Sequence, residues 1–512
     1  MFKVKFALFT ITDTRKEIKK KLKSMLKLCK QVFKFQTIQR GYGVNVDTLH
    51  GTLHSRFFEH LQDRTLKCDP KLKMMMKLFQ EDPKDHTTVE FRDRCKELDG
   101  EFLRRLRSNQ KDIIGVIDTL IETMPERVTG LESFTEALRM LLARFEKNPT
   151  RKNFVKLCFY FGLLKKKSPG PILLTDLVDN YFDKIIDDRM SSIDFAIICT
   201  ATYKASVAVK SEKFKQRLVQ EVVKTDQPDA FIFVTFIKSL RQNKINSREV
   251  LNKLKDFCKS GQMDQLNYQP LVHILPLIAD NSIKDDELTE FFIERCMSTM
   301  SGDVRAKDIQ KFIYSCAILN FPVKLEHLQK LKIIAMTRTN HKEFQQKFDN
   351  FVDVALSMWM LNFRCHELVE KLLNDSRFHR TGGYNRIKID SRKKLLLTCV
   401  EIEEPSWLNN IEIKSQSFDE QRAAPKYLIK PSLVSVMNSL KGQNTKIVQQ
   451  IMNLNIAGIL VREKDGKLVH FEVLDQTNSL SDKKSPTGIF ALKLRLLNEL
   501  GCDVRLVSQL LF

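Results

Sequence analysis

Glycine and proline are scarce, at 17 and 14 of 512 residues. Collagen-like and Gly/Ser-linker architectures need far more of both. An all-β sandwich or barrel would also need more turn residues. No two of the eleven cysteines form a CxxC pair, which argues against a zinc ribbon and a disulfide framework. They stand singly, many inside apolar text such as KLCFYF around Cys158 and AIICTA around Cys199, and read as buried thiols in a reducing compartment. No apolar run reaches the roughly 18–20 residues of a spanning helix. The best one, Phe231 to Ile237, stops at Lys238. Walker, GxGxxG and GxSxG motifs are all missing, which leaves kinase or other nucleotide chemistry without a motif. Disorder is excluded over most of the length, because 43% of residues are hydrophobic and 35 are Phe. A mainly helical, well-buried chain is what these absences leave.

Acidic residues are also short. Against 63 Asp and Glu stand 85 Lys and Arg, a formal charge of +22. Such a field suits a polyanionic partner, nucleic acid first. The surplus is strong at the N-terminus, where KEIKKKLKSMLKLCKQVFK (16–34) sets apolar residues at helical spacing with lysines opposite. This basic amphipathic segment suits a mitochondrial targeting sequence, for which cleavage is not expected. It suits equally a basic arm lying on RNA through Lys19, Lys20, Lys21 and Lys23.

Between residues 150 and 370 the sequence repeats itself. Six apolar segments begin near Phe154, Phe195, Phe231, Tyr268, Ile309 and Phe351, at separations of about 36–42 residues. A second, more charged helix lies between anchors, as in SREVLNKLKDFCKS (247–260) and DELTEFFIERCMS (286–298). Helix starts are expected at Ser192 or Asp194, near Asp226, and at Ser247. Two helices per period predict an α-solenoid, whose hairpins bury their apolar faces on one another. The expected organisation is a basic arm over 1–44, a helical region over 45–150, the solenoid over 151–375, a linker over 376–425 and a C-terminal α/β domain over 426–512. The linker reading rests on the Gly-rich RTGGYNR (380–386) and the acidic, Pro-containing EIEEPSW (401–407). In the C-terminal domain PSLVSVMNSLKG predicts a helix ending at Gly442. Residues 456–463 and 467–475 predict strands around a Lys464-Asp465-Gly466 turn. A helix opened by Pro486 and stopped at Gly501 precedes a last strand over 504–507.

These last residues carry Val434, Leu440 and Gly442, then Phe471, Glu472 and Val473. Thr487, Leu492, Lys493, Arg495, Leu496, Leu497, Leu500, Gly501 and Val504 follow. In that order they resemble the RAP domain of Fas-activated kinase-like, octotricopeptide and heptatricopeptide repeat proteins. The resemblance covers about 431–512. It implies a restriction-endonuclease-like fold and organellar RNA binding, in the mitochondrial matrix. A nuclease of that fold needs clustered acids around a divalent metal. The early strand Ile456–Val461 has no acid, Leu474 stands where an Asp is usual, and only Glu472 and Asp475 are left. They are expected to brace the strand end near Lys493 and Arg495, with no metal, cofactor or catalytic activity.

The expected RNA contacts are the arm lysines, the triplets Lys165, Lys166, Lys167 and Arg392, Lys393, Lys394, the pair Lys483, Lys484, and Lys493 with Arg495. The phenylalanines are assigned to packing rather than to base stacking. His50 and His54 lack cysteines to complete a zinc site, with His60 nearby, and Cys365-His366 lacks a third catalytic partner. The reading that follows is a non-enzymatic, RNA-binding ribonucleoprotein component of the mitochondrial ribosome, contacting rRNA. Two alternatives stand beside it: a free maturation or stability factor for organellar transcripts, and a metal-dependent RNA endonuclease using Glu472 and Asp475.

Overall fold

The computed structural model describes residues 53–62, 89–108, 113–123, 128–166, 169–187, 189–226, 229–300, 304–339, 344, 348–377, 387–409, 429–440, 444–451, 453–463 and 465–508. The basic arm, Lys167, the 380–386 segment, Gly442, Lys464 and His50 lie outside them, and nothing is described of the His54 side chain. The described chain is mainly helical with a small sheet near its C-terminal end, and it divides into two compact units, Met1–Glu221 and Val222–Phe512. No helix among the described residues is long and apolar enough to cross a membrane.

The first unit holds α1 (Leu53–Leu61), α2 (Val89–Ser108), α3 (Ile113–Thr123), α4 (Glu132–Lys147), α5 (Arg151–Leu163), α6 (Gly170–Ile185), α7 (Ser192–Ala205) and most of α8 (Glu212–Lys224). Thr150 opens α5 by accepting a hydrogen bond from the Asn153 amide. Every residue of α5 from Phe154 to Gly162 is buried, the mark of a helix packed on all sides. It lies along α7. Phenylalanine rings join the helices of this unit. Phe154 meets Phe145 at 6.2 Å and Phe182 at 6.4 Å, and Phe182 meets Phe195 at 6.1 Å and Phe214 at 5.2 Å. Burying each such ring contributes roughly 1.5–3 kcal/mol, so these aromatics serve the core, as expected.

The second unit continues with α9 (Ala230–Gln242), α10 (Arg248–Lys259), α11 (Tyr268–Leu271), α12 (Ile274–Asp280), α13 (Asp286–Thr299), α14 (Ala306–Ile318), α15 (Leu325–Thr339), α16 (Phe348–Met360), α17 (His366–Leu373), α18 (Ile387–Glu403), α19 (Pro405–Asn409) and α20 (Pro431–Ser439). Within it α9 packs on α12, α12 on α14, α14 on α16, and α16 on α18. These are the apolar helices of the repeat. Their partners are amphipathic: α10 buries only Val250, Leu254 and Phe257, one stripe at helical spacing.

Three local expectations need correction. The first concerns helix starts, where Ser191 and Asp229, not Ser192 and Asp226, are the N-caps; Ser247 is one as expected. A short polar side chain caps only from just outside the helix, a one-to-three-residue distinction that composition does not resolve. Second, Phe231 is only half-buried, and Phe233 and Phe236 carry the anchor role in α9. Third, the 376–425 linker contains the 17-residue α18, which buries Leu396, Cys399 and Val400 and packs along α16.

The repeat is plainest at helix ends. Ser206, Lys244, Ser282, Asn320 and Asn362 follow α7, α9, α12, α14 and α16, and all have left-handed backbone with φ between 50° and 60°. After each, the next amide reaches back to the carbonyl five residues earlier: Val207 to Thr202, Ile245 to Leu240, Ile283 to Ile278, Phe321 to Cys316 and Phe363 to Met358, at 2.9–3.1 Å. This is a Schellman cap, repeated five times without glycine. Serine, asparagine and lysine fill a position that glycine adopts freely, so each helix end carries local strain. Lys244 is exposed, and its replacement isolates that strain. Lys244→Gly should raise stability by about 0.5–1 kcal/mol in urea denaturation, with no gain in Lys244→Ala. Equal midpoints for the two variants would count against strain at this cap.

The C-terminal sheet has the order β1 (Asn444–Val448), β2 (Gly458–Arg462), β3 (Leu468–Leu474), β4 (Asp503–Ser508), with α21 (Gly488–Glu499) between β3 and β4. The first two pairings are antiparallel and β3–β4 is parallel, as a strand–helix–strand crossover requires. One face of the sheet, through Ile459, Val461 and Val473, packs on Leu433 and Val436 of α20. The opposite face lies under α21. β1 is an addition to the expected strands.

Candidate nucleic-acid interface

In the C-terminal domain, period-two alternation along β3 puts His470 and Glu472 on the face under α21. Lys493 projects from α21 and donates to Glu472; both side chains are 1% exposed. Gly458 on β2 makes room for this pair, since a Cβ there would come within 2.3 Å of Glu472 Oε1. Burial pushes the Glu472 carboxyl up and the Lys493 ammonium down, and each opposes the other's shift. His470 is held low by burial and by Lys493. Asp475 belongs to a different network. It accepts from Ser432 Oγ at 2.9 Å and from the Thr477 amide and hydroxyl at 2.9 and 2.7 Å, with Lys430 Nζ at 3.2 Å. Burial pushes its carboxyl up, but the Thr477 and Ser432 hydrogen bonds and Lys430 outweigh that and hold it low. Glu472 and Asp475 are thus each engaged by separate partners. No group of three or more metal-ligating side chains occurs among the described residues.

Arg495 docks α21 on the helices before it. It donates to Glu403 at 2.6 Å and to the carbonyls of Trp359 and Met360 at 2.8 and 3.1 Å, capping the end of α16. Trp359 Nε1 donates to the other Glu403 oxygen at 2.5 Å. Beside it, Gly488 sits so close to α14 that a Cβ would overlap the Ala317 carbonyl. A loop contact adds to the docking: the Ser481 amide donates to the Ser282 carbonyl, at one of the left-handed turns.

Several sequence-predicted RNA contacts are therefore structural. Lys493 is fully buried. Lys393 is 2% exposed and lies 3.3 Å from Asp390. Arg392 donates two bonds to Asp353, at 2.7 and 2.9 Å. Arg495 is spent on docking. Lys165, Lys166, Lys483 and Lys484 are exposed, and Lys394 is half-buried. Of the histidine candidates, His60 is exposed and meets Asp194 at 2.9 Å, and His366 stacks on Trp407 at 4.4 Å. Burial pushes the Cys365 thiol up to about 11.

Sequence reasoning missed a second set of cations. The residue nine places before each left-handed cap holds the same register in its helix. In the second unit these residues are Thr235, His273, Lys311 and Asp353. Lys238 of α9 and Lys307 of α14 lie beside them and act electrostatically on both His273 and Lys311. Burial, then Lys307 and Arg305, bring Lys238 down to about 8. Lys311 is brought down to about 7, by burial first; the nearby Asp308 opposes that, and Lys307, Lys238 and Arg241 add to it. A signal existed in the register of the repeat, but only the cap position reveals it.

The first unit holds a cavity of ≈ 420 Å³ lined by Arg151, Lys152, Lys156 and Arg189, with Asp187 and Asp194. Arg151 pairs with Asp187 at 2.9 Å, and Lys156 lies 3.6 Å from Asp118.

No protein-family model matches this chain, and no curated protein matches it.

Proposed function

We propose that this protein binds RNA in the mitochondrial matrix, as a structural or assembly component of the mitochondrial ribosome that contacts rRNA. In this reading the helical hairpins form an α-solenoid and the C-terminal residues a RAP domain. Five identical helix caps at near-constant spacing support the first. The strand–helix–strand crossover carrying Lys493 and Arg495 supports the second. The observation that carries the functional reading is the set of lysines Lys238 on α9 and Lys307 and Lys311 on α14, which act electrostatically on one another. A protein of net charge +22 that crowds cations together suits a phosphate backbone. The endonuclease alternative finds less support, since the Glu472 carboxylate is already neutralised by Lys493.

Crosslinking of the full chain to RNA in cells tests the proposal. Crosslinks should fall on rRNA, and the tagged protein should sediment with ribosomal particles at moderate salt. A light, particle-free pool crosslinked to one messenger would replace it with the transcript-factor reading. Magnesium-dependent cleavage abolished by Glu472→Ala would replace it with the nuclease. For free single-stranded RNA, log affinity should fall against log salt with a slope of about −0.7 per phosphate contact.

A further inference from the structure

The cavity of the first unit, at ≈ 420 Å³, has the size of a small-molecule pocket rather than of a single-ion site. Four pieces of chain bound it: the end of α1, the first turns of α5 and α7, and the loop between α6 and α7. Contacts inside the unit fix these pieces. α5 lies along α7, Phe58 of α1 stacks on Phe159 of α5 at 6.2 Å, and His60 meets Asp194 at 2.9 Å. Exposure along the lining is graded. Lys152, Arg189 and His60 are exposed, Arg151 and Asp194 are half-buried, and Leu61, Val155 and Lys156 are buried. The cavity therefore has a charged mouth, an apolar wall at Leu61 and Val155, and an ammonium in its deepest part.

The charge of the lining is positive. Arg151, Lys152, Lys156 and Arg189 face Asp187 and Asp194, and Asp118 lies beside Lys156 at 3.6 Å. The cations thus exceed the acids by one, and the first turns of α5 and α7 together add roughly one more positive charge. A phosphate monoester carries about two negative charges at neutral pH, which matches. Two guanidinium forks and two ammonium groups also suit its several oxygens. Asp118 is tied elsewhere, since Tyr160 donates to its other oxygen at 2.5 Å. The Arg151–Asp187 and His60–Asp194 pairs are largely solvent-exposed, so they add little stability and yield to a doubly charged ligand. Beyond the phosphate, the apolar wall takes a flat ring, and Asp194 supplies an acceptor for a sugar hydroxyl.

We propose that this cavity binds a nucleoside monophosphate, with its phosphate on Arg151, Lys152, Lys156 and Arg189 and its base against Leu61 and Val155. Two sources present that chemistry: a free mononucleotide and the 5′ end of an RNA. The pocket stands on its own geometry, and only the RNA source rests on the proposed function. The sequence hides the site because its residues come from positions 60 to 194 and from four separate pieces of chain.

The test uses the full chain. AMP or UMP at about ten millimolar should raise the melting temperature above that in chloride of equal ionic strength, by the mass-action stabilisation of a ligand that binds only the folded state. Inorganic phosphate and uridine, each one part of the ligand, should raise it less. Arg189 is exposed, so Arg189→Ala should fold as the parent does. It should weaken apparent nucleotide affinity about tenfold, the worth of one charge-assisted hydrogen bond. Lys156→Met should weaken it at least as much, and Arg189→Ala carries the test if that buried variant does not fold. A mononucleotide response equal to that of chloride or of inorganic phosphate, or one intact in Arg189→Ala, overturns the proposal. Binding of a short single-stranded RNA then tests the source. Tighter binding of the 5′-phosphorylated form than of the 5′-hydroxyl form, with the difference erased in Arg189→Ala, supports the RNA end. Equal binding of the two forms beside a retained mononucleotide response overturns the RNA end and assigns the pocket to a free mononucleotide. RNA binding with no mononucleotide response overturns the pocket and leaves the proposed function standing, and a mononucleotide response with no RNA binding does the reverse.

Discussion

Lys493→Met should destabilise the second unit by about 3–5 kcal/mol at neutral pH, the usual loss when one partner of a buried ion pair is removed. The damage is not the missing attraction alone. Glu472 would be left charged beneath α21, out of solvent, with no water to replace the lost ammonium. The double substitution Glu472→Leu with Lys493→Met should recover most of that loss and come within about 1 kcal/mol of the parent, or exceed it, because an apolar pair avoids desolvation altogether. Hydrogen exchange of β2 to β4 reads both effects. The single variant should also depend on pH. A buried carboxyl raised above its unfolded value binds more protons in the folded state than in the unfolded one. Stability then falls as pH rises above the ordinary carboxylate range. The deficit of Lys493→Met should therefore shrink in acid, while the double variant, with neither group, should lack this term. A deficit independent of pH, or a double variant as weak as the single, would reject the ion-pair account.

The helical hairpins were legible because their signal is local. Apolar runs at helical spacing and a short polar cap before each are written in consecutive residues, and Ser247 could be placed outright. The C-terminal helix and the last three strands were legible for the same reason. β1 was not. Its sequence NTKIV is short and polar, and its burial alternates only weakly at the sheet edge. No run marks it, and only pairing with β2 makes it a strand. α18 was hidden by its flanks, since a Gly-rich segment before it and a Pro after it read as a linker.

The candidate site was the least legible. Sequence displays a charge but not its partner. Arg392 finds Asp353, 39 residues away, and Arg495 finds Glu403, 92 away. The residues counted as RNA contacts because they clustered in sequence were often those already neutralised in space. His273, whose Nδ1 has no hydrogen-bond partner, and Lys311, whose Nζ has none, sit alone in apolar text. Their common register becomes visible only from the left-handed caps, and those lack the glycine that would have announced them.

Arg495→Ala should separate the sheet domain from the helices it docks on. The guanidinium serves three acceptors, and two of them are carbonyls at the end of α16 that no other described side chain caps. Its removal strands Glu403, a buried carboxylate left with only the Trp359 indole as donor. The loss of one partner again predicts about 3–5 kcal/mol. Here it should appear as local release, because Gly488 holds the same interface by close packing and Ser481 by two hydrogen bonds, from its amide to the Ser282 carbonyl and to its hydroxyl from the Lys284 amide. Trp359 offers a direct readout: its fluorescence should shift as solvent reaches the indole, and proteolysis should cut ahead of β1 at a denaturant concentration that leaves the helices intact. Arg495→Lys should recover less than half of the loss, since an ammonium cannot reach a carboxylate and two carbonyls in the plane of a guanidinium fork. Loss of RNA binding in Arg495→Ala, with Trp359 fluorescence and protease resistance unchanged, would instead restore Arg495 to the RNA-contacting set in which its sequence position first placed it.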